Sequence, residues 1–448
     1  MARRSKLNVH QFHSGSSAAD AITNCMLFVQ SMVRSFGFAS DIFVEHVDQG
    51  LSGRIRPLQD LRLAESDILL IHHSMGHDVL PQLTELRCRK VLVYHNITPP
   101  QFFEEDDPFH AYAIKGYAQL SLFRDIVESA IAVSSFNARQ LSRRGFDKVT
   151  VIPLLKDFAA IRDAPHSKTP YYDETAVFRL LFVGRLVPHK CQHELIDFID
   201  QIRSLGRVPL ELVLVGHFDA ANRYKLQLDE LVRRSGLDRQ VKFIGRVTDE
   251  ELFGWYRAAS AYVSLSEHEG FGVPLVEAMA LDLPVVAYAS SAVSDTLGGA
   301  GITLPDKNPA SIFEPLVRLL EDRPFRGEVI RSQRRRLLRF TRCRVEAELR
   351  DWLISAGAYD DDAEAVGRAS GLDDDPPPSG RTHYVVEGPF ETSYSLAVVN
   401  RNLALALGKR EGCTSHIEPS DGTEAYTVDT IAAAKLPREI CKLVDLPP

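Results

Sequence analysis

Two carboxylates, Glu269 and Glu277, stand eight positions apart in EHEGFGVPLVEAMALDLPVVAY, residues 267 to 288, with Gly270, Gly272 and Pro274 between them. The two glycines let backbone amides approach a ligand closely, and Pro274 suits the first turn of a helix. Glu277 then falls near the start of that helix, placed to accept hydrogen bonds from the vicinal hydroxyls of a ribose, while Glu269 aims a carboxylate at the same place. A helix capped by surface acids is the plainer reading of this spacing. Upstream, RLVPHKCQHELI sets Arg185 and Lys190 five apart at the entry to another helix. Two cations beside the free N–H groups of a helix N-terminus suit a diphosphate; two solvated surface cations would read the same way. The run KVLVYHN closes on His95 and Asn96, where the imidazole either orients a sugar hydroxyl or serves as a hydrogen-bonded structural group. Gly15 and the serines of QFHSGSSAAD admit a phosphate or an acceptor at the next helix N-terminus, or simply make a turn, and Asp20 and Asn24 share one face of that helix.

These residues need strands and helices to carry them, and the sequence supplies both in alternation. KLNVHQF, SDIFVE, DILLIHH, KVLVYHN and SAIAVSS are short apolar strands, and ADAITNCMLFVQSMVRSFG is an amphipathic helix ending at Gly37. After RDAPHSKTPYYDET the rhythm restarts with FRLLFVGR, a helix near 194–205, LELVLVG, a helix near 223–235, VKFIG, AYVSLS and PVVAY. RSQRRRLLRFT and the helix RVEAELRDWLISAG close this second series. Strand–helix–strand repetition implies parallel sheets covered by helices. Such sheets bind ligands at the carboxyl ends of their strands, and the residues singled out above lie there, on loops facing a cleft between two domains.

The composition sets limits. At 448 residues the chain is too long for one ordinary domain. Its 45% apolar and 25% charged content is that of a soluble globular protein. A net charge of −8 argues against a general nucleic-acid binder. The six cysteines, Cys25, Cys88, Cys191, Cys343, Cys413 and Cys441, lack zinc-ligand spacing and read as reduced thiols of a cytosolic protein. No apolar run approaches the roughly 20 residues that span a bilayer, and MARRSKLNVHQFHSG has no apolar segment of the secretory kind.

Taken together and in this order, FVGRLVPHK, LVLVG, VKFIGRV and EHEGFGVPLVEAMALDLPVVAY resemble the retaining glycosyltransferases of the two-Rossmann (GT-B) type, in the family 4 group that includes sucrose synthase and phosphatidylinositol mannosyltransferases. Glu269 and Glu277 reproduce its E-x7-E motif, and the resemblance covers roughly residues 6 to 356, most tightly in the second half. It implies an α/β fold with two Rossmann-like parallel-sheet domains facing across a cleft: an acceptor domain over 1–158, a nucleotide-sugar domain over 159–344 and a closing helix over 345–357. It implies that Arg185 and Lys190 hold the diphosphate and offset charge on the leaving nucleotide. Glu277 binds the ribose; Glu269 and the amides of Gly270, Phe271 and Gly272 hold the donor sugar and its phosphate. Val247 meets the base through its backbone, Gly216 and Gly15 line the donor site, and His95 lies near the reacting sugar. Transfer is expected to retain anomeric configuration by front-face attack, with the leaving diphosphate helping to deprotonate the acceptor and with no metal or other cofactor. Many relatives carry a double glycine in the first loop; HSGSSAAD has Gly15 alone.

The expected substrates are a nucleotide-sugar donor, GDP-mannose or a related GDP-sugar by analogy, and a glycan or lipid-linked acceptor of bacterial surface polysaccharide synthesis. Five arginines in RSQRRRLLR, residues 331–339, suggest peripheral contact with an anionic membrane at the cytoplasmic face, or else a solvated helix face. Residues 358–381, acidic and proline-bearing, read as a flexible linker, so the runs DDD at 360–362 and 373–375 are solubilising. Residues 382–448 resemble the start of a further, incomplete transferase domain, as in a longer polypeptide that strings several together. Two other classes compete: a non-catalytic nucleotide-sugar-binding module of a polymerase, and a UDP-sugar epimerase of the same fold, whose relatives lack the Arg/Lys plus E-x7-E set.

Overall fold

The computed structural model describes residues 7–17, 20–154, 156–167, 177–203, 209–218 and 222–359, and the backbone of 382–387 and 413–418. The chain divides into two compact units, Met1–Ala356 and Gly357–Pro448.

The first unit contains two parallel sheets. Strands β1 (Val9–Gly15), β2 (Ile42–His46), β3 (Arg56–Pro57), β4 (Ile68–His73), β5 (Arg89–Tyr94), β6 (Ser129–Ala132) and β7 (Val149–Val151) lie in the order β3-β2-β1-β4-β5-β6-β7. Strands β8 (Phe178–Val183), β9 (Leu210–Val215), β10 (Val241–Gly245), β11 (Ala261–Ser264), β12 (Val285–Tyr288) and β13 (Ile302–Leu304) lie in the order β10-β9-β8-β11-β12-β13. The expectation of two Rossmann-like sheets holds. Each is wound outward from its first strand in both directions, so the strand order reverses between β1 and β4 and again between β8 and β11.

The helices of the first half are α1 (Ala21–Ser35), α2 (Leu80–Glu85), α3 (Pro108–Ile126) and α4 (Ser135–Ser142). The second half has α5 (Gln192–Ile202), α6 (Arg223–Ser235), α7 (Asp249–Ala258), α8 (Val273–Ala280), α9 (Val293–Leu297), α10 (Pro309–Glu321), α11 (Arg323–Leu337) and α12 (Arg342–Ser355). They cover both sheet faces, which is why the strands are continuous apolar runs and not alternating ones. In the second sheet Leu180, Leu212 and Leu214 pack with Leu195, Ile199 and Leu228, while their neighbours Leu181 and Val213 pack on the opposite face with Phe253, Val276 and Met279.

The last helix departs from its expected place. RVEAELRDWLISAG was to close the second domain, but α12 reaches back to the first. Arg342 lies over the Phe28 ring and Arg350 over that of Phe36, at 5.8 and 4.8 Å from the centroids. The Ala356 carbonyl accepts from Arg89 Nη2 at 2.5 Å.

In the second unit β14 (Thr382–Glu387) pairs in parallel with β15 (Cys413–Glu418). Thr382 stands opposite Cys413, as Gln11 of β1 stands opposite Ile42 of β2; in both pairs the partner lies 31 residues onward. The segment read as a linker lies outside the described residues except at 358 and 359.

Candidate active site

Adjacent strands bring their loops together, and β8 and β11 are adjacent. The loop after β8 carries Arg185 and a 3₁₀ turn, Pro188–Lys190, before α5. The loop after β11 carries 267–272. The two are laced by the Glu267 N–H, which donates to the His189 carbonyl at 2.8 Å. Lys190 Nζ consequently reaches Glu269 Oε1 at 2.6 Å and the His268 carbonyl at 3.3 Å. Arg185 is exposed, with its guanidinium 6.0 Å from the centroid of Phe109 on α3, across the cleft. Lys190 and Glu269 therefore meet, with Arg185 on the same loop as Lys190, where the strand order reverses, the crevice in which such sheets bind ligands.

Glu277 lies within α8 and is buried. One carboxylate oxygen pairs with Lys156, from the segment after β7, and the other accepts from Tyr256 Oη at 2.8 Å. Burial, then the neighbouring carboxylate, raises the Tyr256 phenol well above its usual range and keeps it a donor. The sequence argument missed Lys156, which lies 121 residues from its partner. Gly272 takes a left-handed φ of +87° to start α8, and a Cβ there would come within 2.6 Å of Leu275 Cδ1. Phe271 turns its ring into the core beside Phe158 and Phe340, leaving its backbone as the part that can meet a ligand. A Cβ on Gly216 would strike the Gly184 carbonyl between the ends of β8 and β9, so this glycine is also demanded by packing. Val247 is half-buried beyond β10. Gly15, at the end of β1, has open space where a side chain would be.

His95 follows β5 on the facing sheet and is buried among imidazoles. Its Nε2 lies 2.8 Å from His72 Nδ1, and burial pushes its pKa down to about 3. Asn96 holds a left-handed φ of +81°. Its Nδ2 donates to Asn137 Oδ1 and Gln140 Oε1 at 2.8 and 2.9 Å, so its Oδ1 accepts from His268 Nε2, 2.8 Å away across the cleft. Ser134 Oγ donates to the Gly270 carbonyl at 3.2 Å. A Cβ on Gly270 would fall 2.5 Å from the His95 carbonyl. The glycine-rich loop thus lies directly against the end of β5, and the residues expected on opposite domains do come together.

Two other clusters are accounted for. Cys191, Glu194 and Glu267 stand close enough to hold a metal, but the Lys307 ammonium sits among them, 3.3 Å from the thiol and 3.0 Å from each carboxylate. Burial raises the Cys191 thiol to about 11, so it is protonated at neutral pH. Of the five arginines at 331–339, Arg334 pairs with Asp282, Arg339 with Glu348, and Arg336 donates to the Thr296 and Asp295 carbonyls. Arg331 and Arg335 are the exposed ones, so most of this charge serves the fold.

Residues 173–336 match the family model described as glycosyl transferases group 1. Among curated proteins, D-inositol 3-phosphate glycosyltransferase of Arthrobacter sp. (strain FB24) is 29% identical over 210 residues, 46% of this chain and 48% of that protein. The O-antigen chain mannosyltransferase B of Escherichia coli is 29% identical over 146 residues, 33% of this chain and 38% of that one. The chain thus matches less than half the length of each of these relatives. Among solved structures, Anabaena HepE in complex with UDP and glucose superposes with a TM-score of 0.61 at 17% identity, over 78% of this chain and all of that one. The fold is GT-B.

Proposed function

We propose that the chain is a retaining glycosyltransferase that moves a hexosyl group from a nucleotide-diphosphate sugar to a glycan or lipid-linked glycan in bacterial surface polysaccharide synthesis. The observation that carries this is the convergence of Arg185, Lys190, Glu269 and Glu277 at the reversal of strand order in the second sheet, with the end of β5 pressed against their loop. Arg185 and Lys190 take the diphosphate, and their charge stabilises the departing nucleotide as the glycosidic bond breaks. Glu277, fixed by Lys156 and Tyr256, takes the ribose hydroxyls. Glu269 and the amides at 270–272 hold the donor sugar and its phosphate; Val247 and Gly216 line the base side. His95 meets the sugar from the other domain, where Gly15 also lines the donor site. The developing charge is met by these cations, so no metal is required.

A GDP-sugar such as GDP-mannose is the donor we favour, supported by the mannosyltransferases among the relatives, one of which is named as GDP-mannose-dependent; UDP-glucose is the comparison, supported by the Anabaena protein's complex with it. No described helix is long and apolar enough to cross a membrane, which is compatible with work in the cytoplasm at the inner membrane face. We take 1–158 as the acceptor domain, 159–344 as the nucleotide-sugar domain and 382–448 as the start of a further transferase-like domain, a reading that the shared 31-residue register supports.

A panel of nucleotide sugars read by thermal shift tests the donor: the right one at 100 times its Kd adds about 2.7 kcal/mol. Transfer to a glycan, or slow donor hydrolysis, with retained anomeric configuration is then expected. Binding without either reaction would favour a non-catalytic module, and interconversion of the sugar an epimerase.

A further inference from the structure

Beneath His95 runs a line of hydrogen bonds to which the proposed reaction gives no role. Gln11 on β1 is fully buried and donates from Nε2 to the Met26 carbonyl at 3.0 Å. Its other end, Oε1, faces His72 Nε2 at 3.0 Å, and an amide oxygen only accepts. His72 therefore carries a proton on Nε2. A neutral imidazole has one donor and one acceptor, so His72 Nδ1 is a bare lone pair. It lies 2.8 Å from His95 Nε2, which must be the donor.

The rings are neutral because burial depresses both: His72 falls well below its ordinary value, and His95 to about 3. Their centroids are 5.1 Å apart and their planes 17° from parallel. That separation is the 2.8 Å contact extended by one ring radius at each side, so the rings lie edge to edge along a straight hydrogen bond and not face over face. Cys25 stands near both imidazoles but gives its S–H to the Leu154 carbonyl. A metal between the two nitrogens would need bonds of about 2.0–2.1 Å to each at a tetrahedral angle, which spreads them wider than they stand. A proton fits this gap and an ion does not.

We propose that Gln11 and His72 are positioning residues that lock His95 in its Nε2–H tautomer, so that His95 presents the Nδ1 lone pair as a hydrogen-bond acceptor to a hydroxyl of the donor sugar. The inference rests on the reading of His95 as a sugar-facing group. His95 Nδ1 has no protein partner among the described residues and is not sealed in the core. A ring free to exchange tautomers would spend part of its time offering a donor there, and a hydroxyl would bind in two orientations. The lock leaves one: the sugar O–H donates to His95 and keeps its oxygen lone pairs for other partners.

The test uses the full chain labelled with nitrogen-15 histidine. Two-bond proton–nitrogen correlation spectra report which ring nitrogen is protonated, and the His95 signals are those lost in His95→Gln. At neutral pH the wild type should show His95 neutral with its proton on Nε2. Gln11→Leu and His72→Leu should each release both tautomers, and in Gln11→Leu turnover should fall roughly tenfold with nucleotide affinity unchanged. A wild-type His95 protonated on Nδ1 overturns the lock, as does an unaltered tautomer in both variants. The spectra require no substrate. A chain that shows the lock but transfers no sugar to any acceptor would instead defeat the proposed function.

Discussion

At the carboxyl edge of the first sheet stand five imidazoles, His13, His72, His73, His77 and His95, and burial lowers the pKa of every one. At the carboxyl edge of the second stand ion pairs: Lys190 with Glu269, Lys156 with Glu277, and Lys307 with Glu194 and Glu267. Both edges are polar, yet neutral imidazoles dominate the first and formal ion pairs dominate the second. The contrast matches two kinds of partner. A diphosphate needs cations, whose field is strong where water is excluded. Hydroxyl groups need directional donors and acceptors, and a charged imidazole on that side would draw the diphosphate towards the wrong domain. Neutral histidines supply direction without field.

Four changes would break or sharpen this contrast. The largest effect belongs to the charged edge: Arg185→Ala or Lys190→Ala should cut transfer by at least about 100-fold through loss of stabilisation of the leaving diphosphate. Wild-type rates in both variants would show that the diphosphate binds elsewhere. Next comes the contact between the edges. Gly270→Ala drives a methyl group against the His95 carbonyl and should cost about 1–3 kcal/mol, read as a lowered Tm together with slower turnover; an unchanged Tm would mean that the loop does not rest there in solution. Glu277→Gln should weaken nucleotide binding roughly tenfold in titration calorimetry and leave turnover at saturation nearly intact, because ribose is held alike before and during reaction.

The smallest effect belongs to single histidines of the neutral edge. His77 has a folded pKa of about 4 against an ordinary 6.5, so the unfolded chain binds the extra proton between those values. Its contribution is complete above about pH 6.5 and is lost as pH falls towards 4, with a slope of up to about 1.4 kcal/mol per pH unit. Urea unfolding of the wild type and His77→Phe over that range should show the variant with the shallower acid slope. Parallel slopes would mean that His77 titrates alike in the folded and unfolded chain.

The charged edge was the more legible of the two in the sequence, and locality explains why. Arg185 and Lys190 share one short loop, and Glu269 through Glu277 share another, with glycines and a proline that announce close backbone approach. The neutral edge is assembled from distant segments. Gln11 lies on β1, His72 on β4 and His95 just beyond β5, and Asn96 meets His268 across 172 positions; no window of sequence contains such a partner. The same distance hides Lys156. The arginines of 331–339 mislead for a related reason, since their acceptors, among them Asp282 and the carbonyls of Asp295 and Thr296, are brought to them by the packing of α11. The two-sheet architecture was plain from the alternating apolar runs. The short strands β3, β7 and β13, of two or three residues each, carry too little pattern to be read in advance.

The return of α12 to the first domain has a mechanical consequence. A chain that passed between the domains only once, after β7, would let them swivel in any direction, like beads on a thread. Here the polypeptide crosses a second time before α12, whose arginines lie on Phe28 and Phe36. A second tether narrows the relative motions open to the two halves, so the loop at 267–272 is kept beside the end of β5 by the path of the chain as well as by its own contacts.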